Sequence, residues 1–199
     1  MLLSGASDPA LFIDLEKIKS MANRIVKIIK GLKTISRNGE KDPFETIEIN
    51  QIIEDCKELC YQKFLTNSVE LNLNIRTGMK IQCRPTEMSQ VIINLLNNAF
   101  DAIEKLPEKW ITIETKLFNQ ETVDIIVTDS GNGIPLEIRD KLMTPFFTTK
   151  AAGKGTGIGL NLSQKILHAH GGSISIDDTC KNTRFVIRLP VAKSACLAS

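Results

Sequence analysis

Histidine is scarce in this chain of 199 residues: there are two, His168 and His170, and no cysteine pair has CxxC spacing. A zinc site draws several Cys or His ligands at short spacings, so little here can supply one. The five cysteines (Cys56, Cys60, Cys83, Cys180 and Cys196) are an odd count and read as reduced, mostly buried thiols. No apolar run approaches the roughly 20 residues that a bilayer-spanning helix needs. No basic region precedes the apolar opening Met1-Leu2-Leu3, so no signal peptide is expected and the sequence reads as a soluble cytoplasmic chain. Lysine and arginine number 25 against 23 acidic residues, and no basic run marks a nucleic-acid surface. Cys196-Leu197-Ala198-Ser199 has the form of a prenylation signal, but without a polybasic neighbourhood it reads as chance.

What is present is an ordinary globular composition, 42% hydrophobic and 24% charged, enough for one domain with an appendage or two small units. From about Ala10 to Ser36, Ile18, Met21, Ile25, Ile28, Leu32 and Ile35 recur at steps of three and four, the stripe of an amphipathic helix. That stripe needs a partner: another helix in a bundle, in this chain or a second copy, or the domain that follows. Residues 38–43 (Asn38-Gly39-Glu40-Lys41-Asp42-Pro43) form the best linker and divide the chain into 1–38 and 39–199.

Beyond the linker, residues 46–49 read as a short strand, with Asn50 capping a helix to about Phe64. Val69–Ile75 alternates as a half-buried strand, with Lys80–Cys83 as its short partner after the Gly78 turn. Pro85 opens a helix to about Leu106. Trp110–Thr115 and Val123–Thr128 read as paired strands, and residues 130–159 as a long irregular stretch. A helix from about Ile158 to Ala169 ends at Gly171-Gly172, and strands at Ser173–Ile176 and Arg184–Leu189 close the domain. This mixture predicts an α+β fold, a two-layer α/β sandwich with a mixed sheet and helices on one face, preceded by the long amphipathic helix.

Four segments carry the chemistry. On the helix beginning at Pro85, Asn94, Asn98 and Asp101 fall at i, i+4 and i+7 and share a face. Amides in a core helix imply a ligand or a polar network, and carboxamide oxygens suit a hard cation such as Mg²⁺; helix-capping contacts are the plainer alternative. Asp129-Ser130-Gly131-Asn132-Gly133-Ile134-Pro135 places a carboxylate at a strand end, before two glycines that let backbone approach a flat ligand. By itself that is an ordinary Asp/Gly turn. Gly153-Lys154-Gly155-Thr156-Gly157-Ile158-Gly159-Leu160 opens a helix with glycines at alternate positions, a nest of N–H groups for phosphate, with Lys154 and Thr156 as added donors. It is not a P-loop, since the GK[ST] ending is absent. Thr144-Pro145-Phe146-Phe147-Thr148-Thr149-Lys150 sets two aromatics in a loop, either to pin a ligand-covering lid or to anchor the loop on the core.

In this order, the asparagine helix, DxGxG, PFFTTK and GxGTGxGL resemble the four boxes of the ATP-binding domain of sensor histidine kinases. That superfamily is shared with DNA gyrase, mismatch-repair ATPases and a heat-shock chaperone. The similarity covers about Glu45 to Val191, and Asn-Ala-Phe-Asp-Ala with the paired phenylalanines most resembles the nitrogen-regulation type. The resemblance implies ATP and Mg²⁺ as ligands, with Asn98 holding the metal and Asn94 beside the phosphates. It implies Asp129 on the adenine amino group, Gly131 and Gly133 shaping that wall, and Thr183 supporting the carboxylate. Gly155, Thr156, Gly157 and Gly159 would meet the phosphates. Asp101, Ile134, Phe147, Thr149, Lys150, Lys154 and Leu160 complete the expected nucleotide site.

Two departures qualify the resemblance. The hydrolytic branch of the superfamily activates water with a glutamate four residues before the metal asparagine; Asn94 stands there and has no basic carboxylate. That favours phosphoryl transfer over hydrolysis. The phosphoacceptor histidine of the family, on the first helix of a dimerising hairpin, is absent, and His168 and His170 match a structural helix end. Residues 10–37 resemble the second hairpin helix. The expected function is therefore kinase activity toward a histidine on the parent chain or a partner, with a response regulator downstream and a homodimer through the 10–36 helix. A nucleotide-sensing module without transfer and a serine kinase of the anti-sigma type are the alternatives.

Overall fold

In the computed structural model the described residues are Ile18, 42–150 and 155–192. Apart from Ile18, the amphipathic helix expected over 10–36, and with it the unit 1–38, lies outside them, as do Lys154 and Cys196.

Alternation builds the first strands. Strand β1 (Glu45–Glu48) leads directly into helix α1 (Ile49–Thr66), followed by β2 (Glu70–Asn74) and β3 (Lys80–Cys83). Helix α1 does not begin on a capping Asn50. Glu48 holds the N-cap position without a side-chain bond, and the Ile49 amide is satisfied by the Met79 carbonyl at 3.0 Å. Nor does β3 pair with β2. It pairs antiparallel with β1 in a separate two-stranded sheet, with Ile47 opposite Ile81. The reason lies in packing: Ile81 and Cys83 turn into the core beside Ile49, whereas β2 lies parallel to a strand 40 residues on.

Helix α2 (Pro85–Ile103) starts on Pro85 and buries Met88, Val91, Ile92, Leu95, Leu96, Ala99, Phe100 and Ile103 along one side. Strands β4 (Trp110–Leu117) and β5 (Thr122–Asp129) form the expected hairpin, one or two residues longer than their apolar patterns. Residues 130–159 are not wholly irregular: a single turn of helix, α3 (Leu136–Arg139), follows Pro135. Helix α4 (Gly159–Ala169), β6 (Ser173–Ile176) and β7 (Arg184–Pro190) complete the domain.

The main sheet runs β2-β4-β5-β7-β6, parallel only at β2-β4. Helices α1, α2 and α4 cover one face, and their apolar sides join Ile111, Ile113, Val123, Ile125, Val127, Phe185, Ile187 and Leu189 in one core. The fold is α+β, a mixed sheet with helices on one face. Register places Asp129 opposite Ile111, so this carboxylate points to the helix-bearing side. Among the described residues no helix is long and apolar enough to cross a membrane. Cys56, Cys60 and Cys83 are buried free thiols, and burial pushes Cys56 and Cys83 up to about 11, out of the reactive range.

Candidate functional site

The site begins with the polar stripe of α2. Its apolar side fixes the helix on the sheet, which leaves Asn94, Asn98 and Asp101 aligned on the adjoining face. Asn94 Nδ2 donates to Ser163 Oγ on α4 at 2.9 Å. Asn98 Oδ1 accepts from Lys150 Nζ at 3.1 Å, and the same ammonium donates to Asp101 Oδ2 at 2.6 Å. The stripe is thus a polar network rather than a set of helix caps, and its two distal oxygens converge on a positive charge.

The glycine run packs against this stripe and against the segment that carries Lys150. A Cβ on Gly159 would overlap the Asn94 side chain, and one on Gly155 would meet Thr148 Oγ1 at 2.5 Å and Lys150 Cδ at 3.2 Å. Gly157 has φ of +66° and closes on residues 146–147, with the Phe146 amide donating to the Gly157 carbonyl at 2.8 Å. Phe146 itself sits at φ +68°, a costly conformation for an aromatic residue, and is 65% exposed. It therefore anchors nothing on the core, while Phe147 beside it is half-buried. Thr156 Oγ1 accepts from the Ile158 amide at 3.4 Å. Leu160 is half-buried on the core, and Thr149 is exposed.

The second half of the site surrounds Asp129, 3% exposed at the end of β5. Burial pushes its carboxyl up to about 6, although the Gly131 amide, donating to Oδ1 at 2.8 Å, and the Thr183 hydroxyl both favour the ion. A Cβ on Gly131 would crowd Asp129 Oδ1 at 2.6 Å and Thr183 Oγ1 at 3.2 Å, so only glycine permits this closeness. Thr183 also returns its carbonyl to the Asp129 amide at 3.0 Å, bringing β7 to the carboxylate. Gly133, at φ +79°, faces the Lys181 carbonyl, and Ile134 is half-buried against the core.

Sequence reading passed over Ser163 and Asn182. Ser163 lies four residues after Gly159, one turn along α4 and hence on the Asn94-facing side, a spacing that was available. Asn182 Nδ2 donates to the Gly131 carbonyl at 3.1 Å across 51 residues, and no local pattern announces it. His170 is structural: buried, its Nε2 accepts from the Arg84 amide at 3.0 Å and its Nδ1 lies 2.7 Å from the Ile166 carbonyl. His168 is exposed at the end of α4.

A half-buried amide stripe, a glycine-lined helix start and a carboxylate held beneath a second glycine turn define a nucleotide-binding α+β domain. Residues 83–193 match the histidine kinase-, DNA gyrase B- and HSP90-like ATPase family, and the chain belongs to it. Sensor histidine kinase ZraS of Salmonella typhimurium is 34% identical over 172 residues, covering 85% of this chain and 36% of ZraS. Sporulation kinase E of Bacillus subtilis is 32% identical over 198 residues, covering 98% of this chain and 26% of that kinase. The chain therefore spans about a third or less of the length of these curated relatives. Among solved structures, the nucleotide-free catalytic domain of histidine kinase ThkA superposes with a TM-score of 0.66 at 29% identity, covering 74% of this chain and 95% of that one.

Proposed function

We propose that this chain is the ATP-binding catalytic region of a two-component sensor histidine kinase, moving the γ-phosphate of ATP to a histidine located outside this sequence. The observation that carries this reading is the convergence of Asn98 Oδ1 and Asp101 Oδ2 on one cationic nitrogen beside the glycine-lined start of α4. A carboxamide and a carboxylate already oriented toward positive charge suit Mg²⁺, a hard cation that takes few protein oxygens and borrows the rest from phosphates and water. Asn98 would hold it, with Asp101 adjacent. When bound, the ion neutralises phosphate charge and steadies the leaving diphosphate.

The chain's own residues do the rest. Asp129 accepts a hydrogen bond from the exocyclic amine of adenine, and Gly131, Gly133 and Ile134 leave room for the flat ring beside it. The backbone amides of Gly155, Gly157 and Gly159, with the Thr156 hydroxyl and the N-terminus of α4, receive phosphate oxygens. Thr149 and Lys150 add donors on the same side, Lys154 is a further donor by its sequence position next to Gly155, and Phe147 and Leu160 supply apolar contact. In the transfer a nitrogen–phosphorus bond forms on the acceptor imidazole as the bond from the γ-phosphorus to the β–γ bridging oxygen breaks, and ADP departs. Asn94 offers no carboxylate to deprotonate water, so the site favours a protein acceptor over hydrolysis. The phosphohistidine is then the donor to a response regulator.

Calorimetry with Mg-ATP tests the site: binding is lost in Asn98→Ala and weakened at least tenfold in Asp129→Asn. Incubation with a separate helical hairpin bearing a histidine followed by an acidic residue tests the reaction. Acid-labile phosphate on the hairpin is the expected result; stable bound ATP without transfer overturns the kinase reading in favour of a nucleotide sensor.

A further inference from the structure

One atom has two claimants. Asn98 Oδ1, the oxygen assigned above to the divalent cation, already accepts from Lys150 Nζ at 3.1 Å, and the ion pair with Asp101 at 2.6 Å fixes the ammonium there. The Lys150 stem is held as well: it lies against Gly155, where a Cβ would meet Lys150 Cβ at 3.3 Å. Two cations on neighbouring lone pairs of one amide oxygen repel each other, so a metal on Asn98 and the ammonium in this position exclude each other.

We propose that Lys150 is an internal surrogate for the cation: in the nucleotide-free protein its ammonium occupies the Asn98–Asp101 notch, latches residues 144–150 to α2, and sets the concentration of divalent cation at which the site opens. The proposal rests on the reading of Asn98 as the metal ligand. The backbone on both sides of the latch suits a segment that must rearrange. Phe146, at φ +68°, bonds to Gly157, itself at φ +66°, so the segment that Lys150 latches already carries an unfavourable backbone conformation. The pair is about one-third exposed on each side, so exchange by a competing ion is feasible without unfolding the core.

The test titrates MgCl2, at constant ionic strength, into the nucleotide-free protein and follows the Asn98 side-chain amide resonance. In Lys150→Met, which keeps the stem and removes the charge, the half-saturating Mg²⁺ concentration falls roughly two- to fivefold, the range a partly exposed ion pair supports. Without Mg²⁺, hydrogen exchange of the Phe146 amide is faster in Lys150→Met and in Asp101→Asn than in the wild type. Equal Mg²⁺ midpoints, or unchanged Phe146 exchange in both variants, overturn the latch. The two readings fail separately. If ATP does not bind but both shifts occur, the nucleotide site falls and the latch stands. If ATP binds through Asn98 with the same Mg²⁺ requirement in Lys150→Met, the latch falls and the site stands.

Discussion

Gly159 and Asn94 approach so closely that a single added methyl group on the glycine would overlap the carboxamide oxygen, with Asn94 Nδ2 only 3.1 Å from the same point. The first residue of α4 and the first residue of the polar stripe on α2 are thus fitted to each other. In Gly159→Ala the Asn94 side chain must rotate away, giving up its bond to Ser163. The stability cost is about 1 kcal/mol, that of one hydrogen bond, while Mg-ATP affinity falls about tenfold, a loss of roughly 1.4 kcal/mol in binding. Gly157→Ala is harsher. There the obstructing atoms are the Phe146 backbone and the Phe147 carbonyl, which cannot swing aside, and φ is +66°; a loss of at least ~2 kcal/mol follows. Urea midpoints of the two variants, compared with the wild type, check the ranking. A Gly157→Ala protein as stable as Gly159→Ala contradicts it.

Asp129 makes the opposite bargain, giving up stability for recognition. Burial raises its carboxyl from 3.8 to about 6 in the folded chain. A group whose folded value lies above its unfolded one contributes fully below the unfolded value and loses that contribution as pH rises, here between about pH 4 and 6. The nucleotide-free protein is therefore less stable at pH 7 than at pH 4 as far as this residue is concerned, by about 2 kcal/mol. Asp129→Asn removes this dependence and is more stable than the wild type at pH 7, although it binds adenine poorly. Thermal melts of both proteins at pH 4.5 and 7 reveal it as a difference that grows with pH. Binding follows the other sign, because the ring amine needs the ionised acceptor. ADP affinity of the wild type, divided by that of Asp129→Asn to cancel phosphate protonation, falls about tenfold between pH 7 and 5. A flat ratio would count against Asp129 as the adenine acceptor.

Periodicity made most of the frame legible. Apolar spacing located α2 and α4 within a few residues, and β-rich runs bounded by polar turns located β4, β5 and β7, because each contributes apolar side chains to a common core. What local pattern does not carry is partner choice. Strand β3 has the composition to pair with β2, yet its apolar residues reach the core only when it lies beside β1. The candidate site divides the same way. The stripe of Asn94, Asn98 and Asp101 follows from 3.6-residue geometry alone, and glycines at 131, 157 and 159 mark close backbone approach. The ammonium that joins Asn98 to Asp101 comes from 49 and 52 residues along the chain, and the amide that closes on Gly131 from 51. Such contacts are products of tertiary packing, and a single sequence contains no periodic trace of them.

On the sheet face away from the helices, Arg188 grips the buried Asp124 through Nε at 2.7 Å and Nη2 at 2.9 Å, while its guanidinium lies 3.2 Å from the centre of the Phe118 ring. Asp124 is 2% exposed and this bidentate partner is its one ion pair among the described residues, whereas the Arg188 side chain still reaches solvent at 36%. Removing only the cation strands a carboxylate out of water. Arg188→Met is expected to cost about 3 kcal/mol, at the low end for a broken buried pair because one partner is partly hydrated. Adding Asp124→Asn to Arg188→Met removes the stranded charge and restores about half of that loss. Neither variant touches the stripe of α2 or the Asp129 pocket, so Mg-ATP affinity stays within twofold of the wild type. Denaturant unfolding of the single and double variants measures the first effect, and calorimetry the second. A double variant no more stable than Arg188→Met shows that the uncompensated charge is not the source of the loss.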